Sequence, residues 1–394
     1  MHSYSVELPD GHRESYTDGK RWWWLLSLVN PMLPLVGVAG YLATQQNLWL
    51  VVPLLLMFVV APGLDWLLGE DQNNPPEAIV PQLEEDRYYR VLTYLTVPLH
   101  YMTFLVVAVF IGSNATPWWG FLTLTIALGF SDGFAINTGH ELGHKRTQLE
   151  TWLAKIVLAV PAYGHFWIEH NRGHHRDVAT PEDPASARMG ESIYSFARRE
   201  IPGAFRRAWQ IERERLARKG LPLFSLQNEA LQSYLITIVL QVSLILAFGW
   251  IMVPFLIIHN FFSWWVLTSA NYVEHYGLMR LKQADGKYER CQPHHSWNAN
   301  HIYSNLLLFH LQRHSDHHAN PTRRYQSLRH FEDLPSLSSG YYGMFMMAYI
   351  PSLWFRVMDA KLLALPHIDG DLSKINVDPA KRSRLYSEYG QNSA

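Results

Sequence analysis

Residues 91–131 read VLTYLTVPLHYMTFLVVAVFIGSNATPWWGFLTLTIALGFS and contain no Asp, Glu, Lys or Arg. Residues 22–64 and residues 230–273 share this property, so the chain holds three long charge-free stretches. One helix needs about 20 apolar residues to cross roughly 30 Å of hydrocarbon. Each stretch is therefore long enough for two membrane spans joined by a tight turn.

Polar or helix-breaking residues mark a turn within each stretch. They are TQQN at 44–47, GSNATP at 112–117, and Gly249 with Pro254 in the third. The chain is thus predicted to be an all-α integral membrane protein with six transmembrane helices, arranged as three hairpins. The predicted spans are residues 22–44, 48–68, 91–112, 117–138, 231–250 and 252–273.

Lysine and arginine lie only outside the predicted hairpin turns. By the positive-inside rule, the segments that carry them are cytoplasmic, so both termini are expected on that face. We predict a single integral-membrane domain over residues 1–394, capped on this face by helices. Its predicted cytoplasmic catalytic segments are residues 139–229 and 274–360, followed by a polar C-terminal tail over 361–394.

Composition narrows the class of protein further. Charged residues make up 17% of the 394 residues, against about 25% in a soluble domain. The net charge of -1 lacks the basic excess of a nucleic-acid binder. The single cysteine, Cys291, excludes a disulfide framework, a multi-cysteine zinc site and a built-in iron–sulfur centre. The sequence also has no motif for binding a flavin or NAD.

Histidine is the unusual residue, with 20 in the chain. Nine of them fall in four groups outside the charge-free stretches or at their ends: His140, His144, His170, His174, His175, His275, His314, His317 and His318. Residues three or four apart on a helix share a face. This spacing occurs in His140/His144, in His170/His174 and in His314/His317/His318, and it predicts that each set directs its imidazoles at one point. Nine nitrogen ligands are too many for one metal ion and suit two.

Acidic residues and one further histidine flank these groups. Metal-bound imidazoles usually donate their second N–H to a carboxylate or carbonyl. The residues predicted to support the ligands in this way are Glu141, Glu169, Asp177, Asp183, Glu274, His310 and Asp316.

Two other classes of protein share parts of this pattern. His140-Glu141-Leu-Gly-His144 has the spacing of zinc proteases, but a protease site leaves most of the grouped histidines unexplained. A metal transporter would place ionisable residues near the bilayer midplane, and the charge-free stretches contain no Asp, Glu, Lys or Arg. Both classes are therefore disfavoured.

The histidine boxes resemble those of the integral-membrane di-iron desaturases and hydroxylases. NYVEHYGL at 271–278 and LQRHSDHHANPTRRY at 311–325 are similar to the membrane-bound alkane 1-monooxygenases in particular. The resemblance implies that the nine histidines hold two non-haem irons, without haem, flavin or bound NAD. It implies hydroxylation of the terminal methyl group of medium-chain n-alkanes with O2, with the di-iron centre itself as the catalytic group. A xylene-type side-chain hydroxylase and a fatty-acyl desaturase are the alternatives within the same superfamily.

The resemblance also implies partners and a location. Electrons would come from rubredoxin, itself reduced by an NAD(P)H-dependent rubredoxin reductase, and the protein would lie in the bacterial inner membrane with its active site on the cytoplasmic face. Rubredoxins are acidic, so arginines outside the spans are candidate docking charges. They are Arg198, Arg199, Arg206, Arg207, Arg323 and Arg324.

Overall fold

The computed structural model describes residues 2–390, and most of them are helical. One antiparallel hairpin precedes the helices, formed by β1 (Ser3–Glu7) and β2 (Arg13–Thr17), with Ser3 opposite Thr17. The all-α prediction did not include these strands. They form because Tyr4, on the hairpin's inner face, is buried against the first apolar helices and donates a hydrogen bond to Asp86.

Within residues 2–390, five helical segments are long and apolar enough to cross a membrane: Arg21–Thr44, Asn47–Leu68, Arg87–Ser113, Trp118–Gly143 and Glu229–His275. The first two combine short 3-10 or π turns with α-helices. The α-helices of all five are α1 (Leu33–Thr44), α2 (Val52–Leu55), α3 (Ala61–Leu68), α5 (Arg87–Ser113), α6 (Trp118–Gly143), α11 (Glu229–Phe248) and α12 (Met252–His275). The fourth segment extends beyond the predicted limit of 138 and so carries His140 within the helix.

The fifth apolar segment has 47 residues, and it is interrupted near its middle. Helix α11 ends at Phe248, and Gly249 adopts a positive φ of 77°, which glycine tolerates because it has no Cβ. Helix α12 then begins at Met252. The interruption falls where the sequence predicts the third hairpin turn.

Helices α6 and α12 form the closest contact of the bundle. A Cβ on Gly133 would lie 2.4 Å from Cβ of Val266, and one on Gly129 would lie 2.8 Å from the carbonyl oxygen of His259. Only glycine permits this approach. The two helices therefore run side by side and end together, with His140 and His275 near their ends. We call this the histidine end of the bundle.

A buried carboxylate joins three helices of the bundle, one position beyond the second charge-free stretch. Asp132 of α6 is completely buried, with Oδ1 2.7 Å from Nδ1 of His100 and Oδ2 2.9 Å from Nε2 of His259. Helices α5, α6 and α12 are thus joined by a polar triad. The expectation that the spans have no charged residue near their centres is wrong at this position.

The remaining helices cover the histidine end. They are α4 (Val80–Glu85), α7 (Gln148–Val157), α8 (Phe166–Glu169), α9 (His175–Asp177), α10 (Ile193–Arg218), α13 (Ile302–Leu307), α14 (His314–Ala319), α15 (Tyr341–Ala348), α16 (Pro351–Leu363) and α17 (Arg382–Tyr389). Helix α10 is the longest of them and crosses both α8 and α12.

The segment predicted as a polar tail packs onto this cover as far as it is described. Ile368, Ile375 and Val377 are buried in the largest apolar core, and the Asn376 N–H donates to the carbonyl of Gly277 at 2.9 Å. These apolar residues are few and irregularly spaced. The sequence therefore predicts a polar tail, although the segment packs against the core. Residues 391–394 of the predicted tail lie outside the described residues.

Candidate metal centre

All nine histidines of the four sequence groups meet at the histidine end of the bundle. They form two sets, and within each set one nitrogen per ring lies within 4.8 Å of the others. The first set is His140, His144, His170, His175 and His317. The second set is His174, His275, His314 and His318. We call them the five-histidine set and the four-histidine set.

The division between the sets differs from the predicted spacing. Residues 170–174 form one turn of π-helix between α8 and α9, in which residues five apart come into register. His170 therefore pairs with His175, their Nε2 atoms 3.0 Å apart, while His174 points into the other set. The prediction that His170 and His174 point at one place is wrong for this reason.

The histidines of α14 are divided in a similar way. His314 and His318, four residues apart, belong to the four-histidine set, with Nε2 atoms 2.9 Å apart. His317 belongs to the five-histidine set, and its Nε2 lies 2.8 Å from Nε2 of His140. The short helix α14 therefore contributes to both sets.

Contacts within the five-histidine set cannot all be hydrogen bonds. Nε2 of His175 lies 3.0 Å from Nε2 of His170 and 3.1 Å from Nε2 of His317, and Nε2 of His170 also lies 3.0 Å from Nε2 of His144. A ring nitrogen either donates one proton or accepts with one lone pair. Nitrogens bound to one metal ion at about 2.1 Å are separated by roughly 3.0–3.4 Å. The spacing therefore fits a cation at the centre of the set.

The four-histidine set has the same character. Nε2 of His314 lies 3.2 Å from Nε2 of His275 and 2.9 Å from Nε2 of His318, and the buried Nε2 of His174 has no hydrogen-bond partner within residues 2–390. Unpaired buried nitrogens are costly, and a metal ion would bind these lone pairs. The donor set, nitrogen from imidazole throughout, suits iron, copper, nickel or zinc.

Burial keeps the His170 imidazole able to act as a ligand. The pKa of His170 is lowered well below its ordinary value, first by burial and then by the neighbouring His140 and His175. Its ring is therefore neutral near pH 7. A neutral imidazole has the lone pair that metal binding needs.

Two of the predicted supporting carboxylates contact an imidazole. Oδ2 of Asp183 lies 2.9 Å from Nδ1 of His174, and Oε2 of Glu274 lies 3.4 Å from Nε2 of His314. Burial alone would raise the pKa of Asp183, but His174 and Arg207 outweigh it and hold that pKa below its ordinary value. Asp183 is thus an ionised acceptor that fixes the orientation of the His174 ring.

The other predicted supporting residues bind cations or backbone instead. Glu169 and Asp177 contact Arg207, Glu141 contacts Lys145, Asp316 contacts Arg323, and His310 contacts the carbonyl of Tyr325. Arg207 also donates to Asp183 at 2.7 Å. The guanidinium of Arg207 therefore gathers three carboxylates beside the four-histidine set.

A narrow cavity of about 30 Å³ lies between the two sets and the bundle interior. At its metal end are His140, His170, His314, Glu274 and Asn137, and its walls include Phe134, Val266, Leu267, Ala270, Leu311 and Phe345. Apolar side chains form most of the wall. An apolar wall therefore leads up to the imidazoles.

The amino-acid sequence is similar to those of known proteins. Residues 116–348 match the fatty acid desaturase family. Alkane 1-monooxygenase 1 of Alcanivorax borkumensis is 53% identical over 97% of this chain and 94% of its own length. Alkane 1-monooxygenase of Pseudomonas putida is 54% identical over 96% of this chain and 93% of its own length. This chain belongs to the alkane 1-monooxygenase family.

Membership of that family makes the protein a monooxygenase, and it confirms the resemblance carried by the NYVEHYGL box. A more distant relative, the xylene/toluene monooxygenase hydroxylase component XylM of Pseudomonas putida, is 29% identical over 56% of this chain and 58% of its own length. The alkane 1-monooxygenases are thus similar over nearly the whole chain, and XylM over little more than half.

The six arginines predicted to dock an electron donor differ from one another in their surroundings in this member of the alkane 1-monooxygenase family. Four are held in ion pairs: Arg199 with Glu191, Arg207 with Glu169 and Asp183, Arg323 with Asp316 and Glu77, and Arg324 with Glu150. Arg198 and Arg206 of α10 are exposed and have no carboxylate partner within residues 2–390. These two are therefore the available charges of the predicted six.

Sequence reasoning missed two residues of the site. Tyr341 donates a hydrogen bond of 2.6 Å to Oε1 of Glu274, and the Asn137 amide donates to the carbonyl of Leu308 at 2.8 Å. Both line the cavity. Tyr341 lies outside the histidine boxes and carried no signal, whereas Asn137 stands one turn before His140 on α6 and could have been found from that spacing.

Proposed function

We propose that the protein is a non-haem di-iron monooxygenase that hydroxylates the terminal methyl group of medium-chain n-alkanes to 1-alkanols. One observation carries the proposal: nine imidazoles, seven buried and two half-buried, converge in two sets at the head of an apolar cavity. Imidazole nitrogen with open coordination positions suits iron that activates O2. The substrate class is taken from the relatives, which are named alkane 1-monooxygenases.

Iron would be held by all nine histidines, five on one ion and four on the other. Bound there, the metal pair would supply O2 activation and oxygen transfer. The protein's own residues orient the ligands: Asp183 fixes the ring of His174, and the carbonyl of His295 lies 3.4 Å from Nδ1 of His275. Arg207 in turn fixes Asp183.

The cavity walls would select and orient the alkane. An alkane has no polar group, so its binding free energy comes from apolar burial, about 0.8 kcal/mol per CH₂. Phe134, Val266 and Phe345 line the cavity along its length, and a narrow channel admits a linear chain end-on. Terminal selectivity follows because only the leading methyl group reaches His140 and His314.

Electrons would come from a separate protein, which we propose is reduced rubredoxin. The chain has one cysteine and no flavin or nicotinamide motif, so each turnover needs an external donor. Arg198 is exposed on α10 without an acidic partner in the part of the chain that the structure describes. We propose it as a docking charge for the acidic donor.

In the membrane we propose six spans with both termini on the cytoplasmic face. The 47-residue segment Glu229–His275 is long enough for two crossings, about 70 Å at 1.5 Å per residue, and it turns at Gly249. The arginine and lysine residues lie toward the histidine end, which the positive-inside rule assigns to the cytoplasm. In bacteria this membrane is the inner membrane.

Product analysis tests the function directly. The purified full chain, loaded with iron and given O2, rubredoxin, rubredoxin reductase and NADH, should convert octane to 1-octanol. Exclusive conversion of xylene to its benzylic alcohol would favour the XylM-like function. Formation of an alkene from an acyl substrate, with no alkanol, would favour a desaturase. Omission of rubredoxin should stop turnover, and continued hydroxylation with NADH alone would contradict the separate donor.

A further inference from the structure

A second groove lies on the outside of the bundle, between α10, α11 and α12. Phe205 and Trp209 of α10 form its upper wall, Ile238 of α11 and Trp264 of α12 its lower wall, and Arg206 lies among them. The groove is separate from the proposed alkane cavity: only the cavity borders His140, and only the groove borders Arg206. Neither the histidine sets nor the alkane cavity accounts for it.

Its position matches one leaflet of a bilayer. Along α11 the groove extends from Leu231 to Ile238, about 10 Å at 1.5 Å per residue. Half of the hydrocarbon core is about 15 Å. In the membrane arrangement proposed above, on which this inference rests, the groove therefore descends from the headgroup region of the cytoplasmic leaflet towards the bilayer centre.

Buried aromatic side chains form the floor of this groove. Tyr163 and His165 both line it, and both are almost fully buried. Nδ1 of His165 is bound to the Tyr234 hydroxyl at 2.6 Å, which ties the floor to α11. The remaining polar atoms of Tyr163 and His165 are enclosed, so the groove presents mainly carbon to an occupant.

The upper rim of the groove is positively charged. Arg206 is exposed and makes no hydrogen bond or ion pair with any residue of 2–390. Arg213, two turns further along α10, is likewise exposed and unpaired within those residues, and Arg218 and Lys219 follow at the end of the helix. Unpaired cations at a membrane surface attract acidic lipid headgroups.

We propose that this groove binds one acidic phospholipid of the cytoplasmic leaflet. The phosphodiester would contact Arg206, and one acyl chain would lie against Ile238 and Trp264. The order of groups in the groove, a cation and then an apolar wall, is the order of the phosphate and the acyl chain along a phospholipid. Arg206 is thereby assigned to a lipid, and Arg198 to the redox partner.

Native mass spectrometry of the full chain in detergent tests this assignment, with phosphatidylglycerol and phosphatidylcholine of identical acyl chains as probes. The wild type should retain one phosphatidylglycerol in preference to phosphatidylcholine. Arg206→Gln should weaken phosphatidylglycerol binding about fivefold and leave the KM for rubredoxin unchanged. Arg198→Gln, the matched loss of an exposed charge on the same helix, should leave lipid binding unchanged.

A second variant tests the apolar part of the groove. Ile238→Trp narrows the groove without a change of charge and should weaken the binding of both lipids. Equal binding of the two lipids by the wild type, or equal phosphatidylglycerol binding by the wild type and Arg206→Gln, would overturn the proposal. The proposal would also be overturned if cross-linking showed that a second copy of the protein occupies the groove. The lipid-binding results are measured without turnover, so they are independent of whether the alkane hydroxylase function holds; only the KM for rubredoxin depends on that function.

Discussion

Buried histidines occur in two regions of this protein, with opposite hydrogen-bonding situations. In the bundle, His100 and His259 share the carboxylate of Asp132, at 2.7 and 2.9 Å. At the histidine end, nitrogens face other nitrogens, as in the 2.8 Å contact between His140 and His317. The first arrangement satisfies its polar atoms internally. The second leaves lone pairs that a cation would satisfy.

The difference separates structural from metal-binding histidines without reference to sequence spacing. His100 and His259 are buried like seven of the nine histidines of the two sets, so burial alone does not distinguish the two kinds. The nature of the partner does: a carboxylate stabilises an imidazole hydrogen bond, whereas converging imidazoles require a positive ion. The predictions below test this distinction.

The largest expected effect is that of His275→Ala. His275 is the only member of the four-histidine set that lies on a membrane helix, and its loss removes one of four ligands. We expect loss of one of the two irons and of alkane hydroxylation, measured by metal analysis and by product formation. His100→Gln, a change at a buried histidine of the bundle, is the control and should keep both irons. Retention of both irons and full activity in His275→Ala would exclude it as a ligand.

The next largest effect is expected for Asp183→Asn, which weakens the support of one ligand. Asn keeps the shape but not the charge that orients His174, so we expect a 10–100-fold loss of iron affinity at one site. The measurement is iron retention against a chelator. Asp316→Asn is the matched control, since Asp316 is equally buried but binds Arg323 and Asn320. Equal iron loss in both variants would contradict an orienting role for Asp183.

The histidine set could be predicted from the sequence, but its division into two groups could not. Spacing places His140 and His144 on one face of α6, and the structure agrees. The π turn at 170–174 pairs His170 with His175 instead of His174. This pairing could not be predicted, because nothing in the sequence HNRGH indicates i,i+5 contacts. The apolar anchors of the segment after 361 were missed because their spacing is irregular.

The supporting carboxylates were over-predicted for a related reason. Seven residues next to the boxes were candidates, yet Asp183 and Glu274 are those that contact an imidazole. Closeness along the chain does not determine where a side chain points, as Asp316 shows beside His317. Family membership, by contrast, followed from the local NYVEHYGL box and is confirmed by identity over nearly the whole chain.

A smaller effect, on stability alone, is expected for Asp132→Ala. The change removes the shared acceptor of His100 and His259, and breaking a buried charged network costs about 3–5 kcal/mol. We expect a lower thermal unfolding midpoint of the full chain in detergent, with the iron content unchanged in the folded fraction. Asp132→Asn keeps an acceptor and should lose less stability. If the iron content of the folded protein fell together with its stability in the Asp132 variants, the triad would belong to the metal centre.

The smallest expected effect concerns the length of alkane that the cavity accepts. Phe134 of α6 lines the cavity, and Phe134→Leu enlarges it by part of a ring without introducing a polar group. Each additional CH₂ accommodated contributes about 0.8 kcal/mol, or roughly a fourfold gain in kcat/KM for the longer alkane over the shorter. Competition between octane and decane measures this ratio.

Phe110→Leu is the matched control, because Phe110 is buried on α5 against Tyr41 and does not border the cavity. It should lower stability to a similar extent and leave the octane-to-decane ratio unchanged. A shift in both variants would mean that loosened packing changes selectivity in general. Val266→Ala and Phe345→Leu extend the test to the rest of the wall. If none of these variants changes the octane-to-decane ratio, the alkane does not lie in this cavity, because a wall that contacts the alkane must affect the length of alkane accepted.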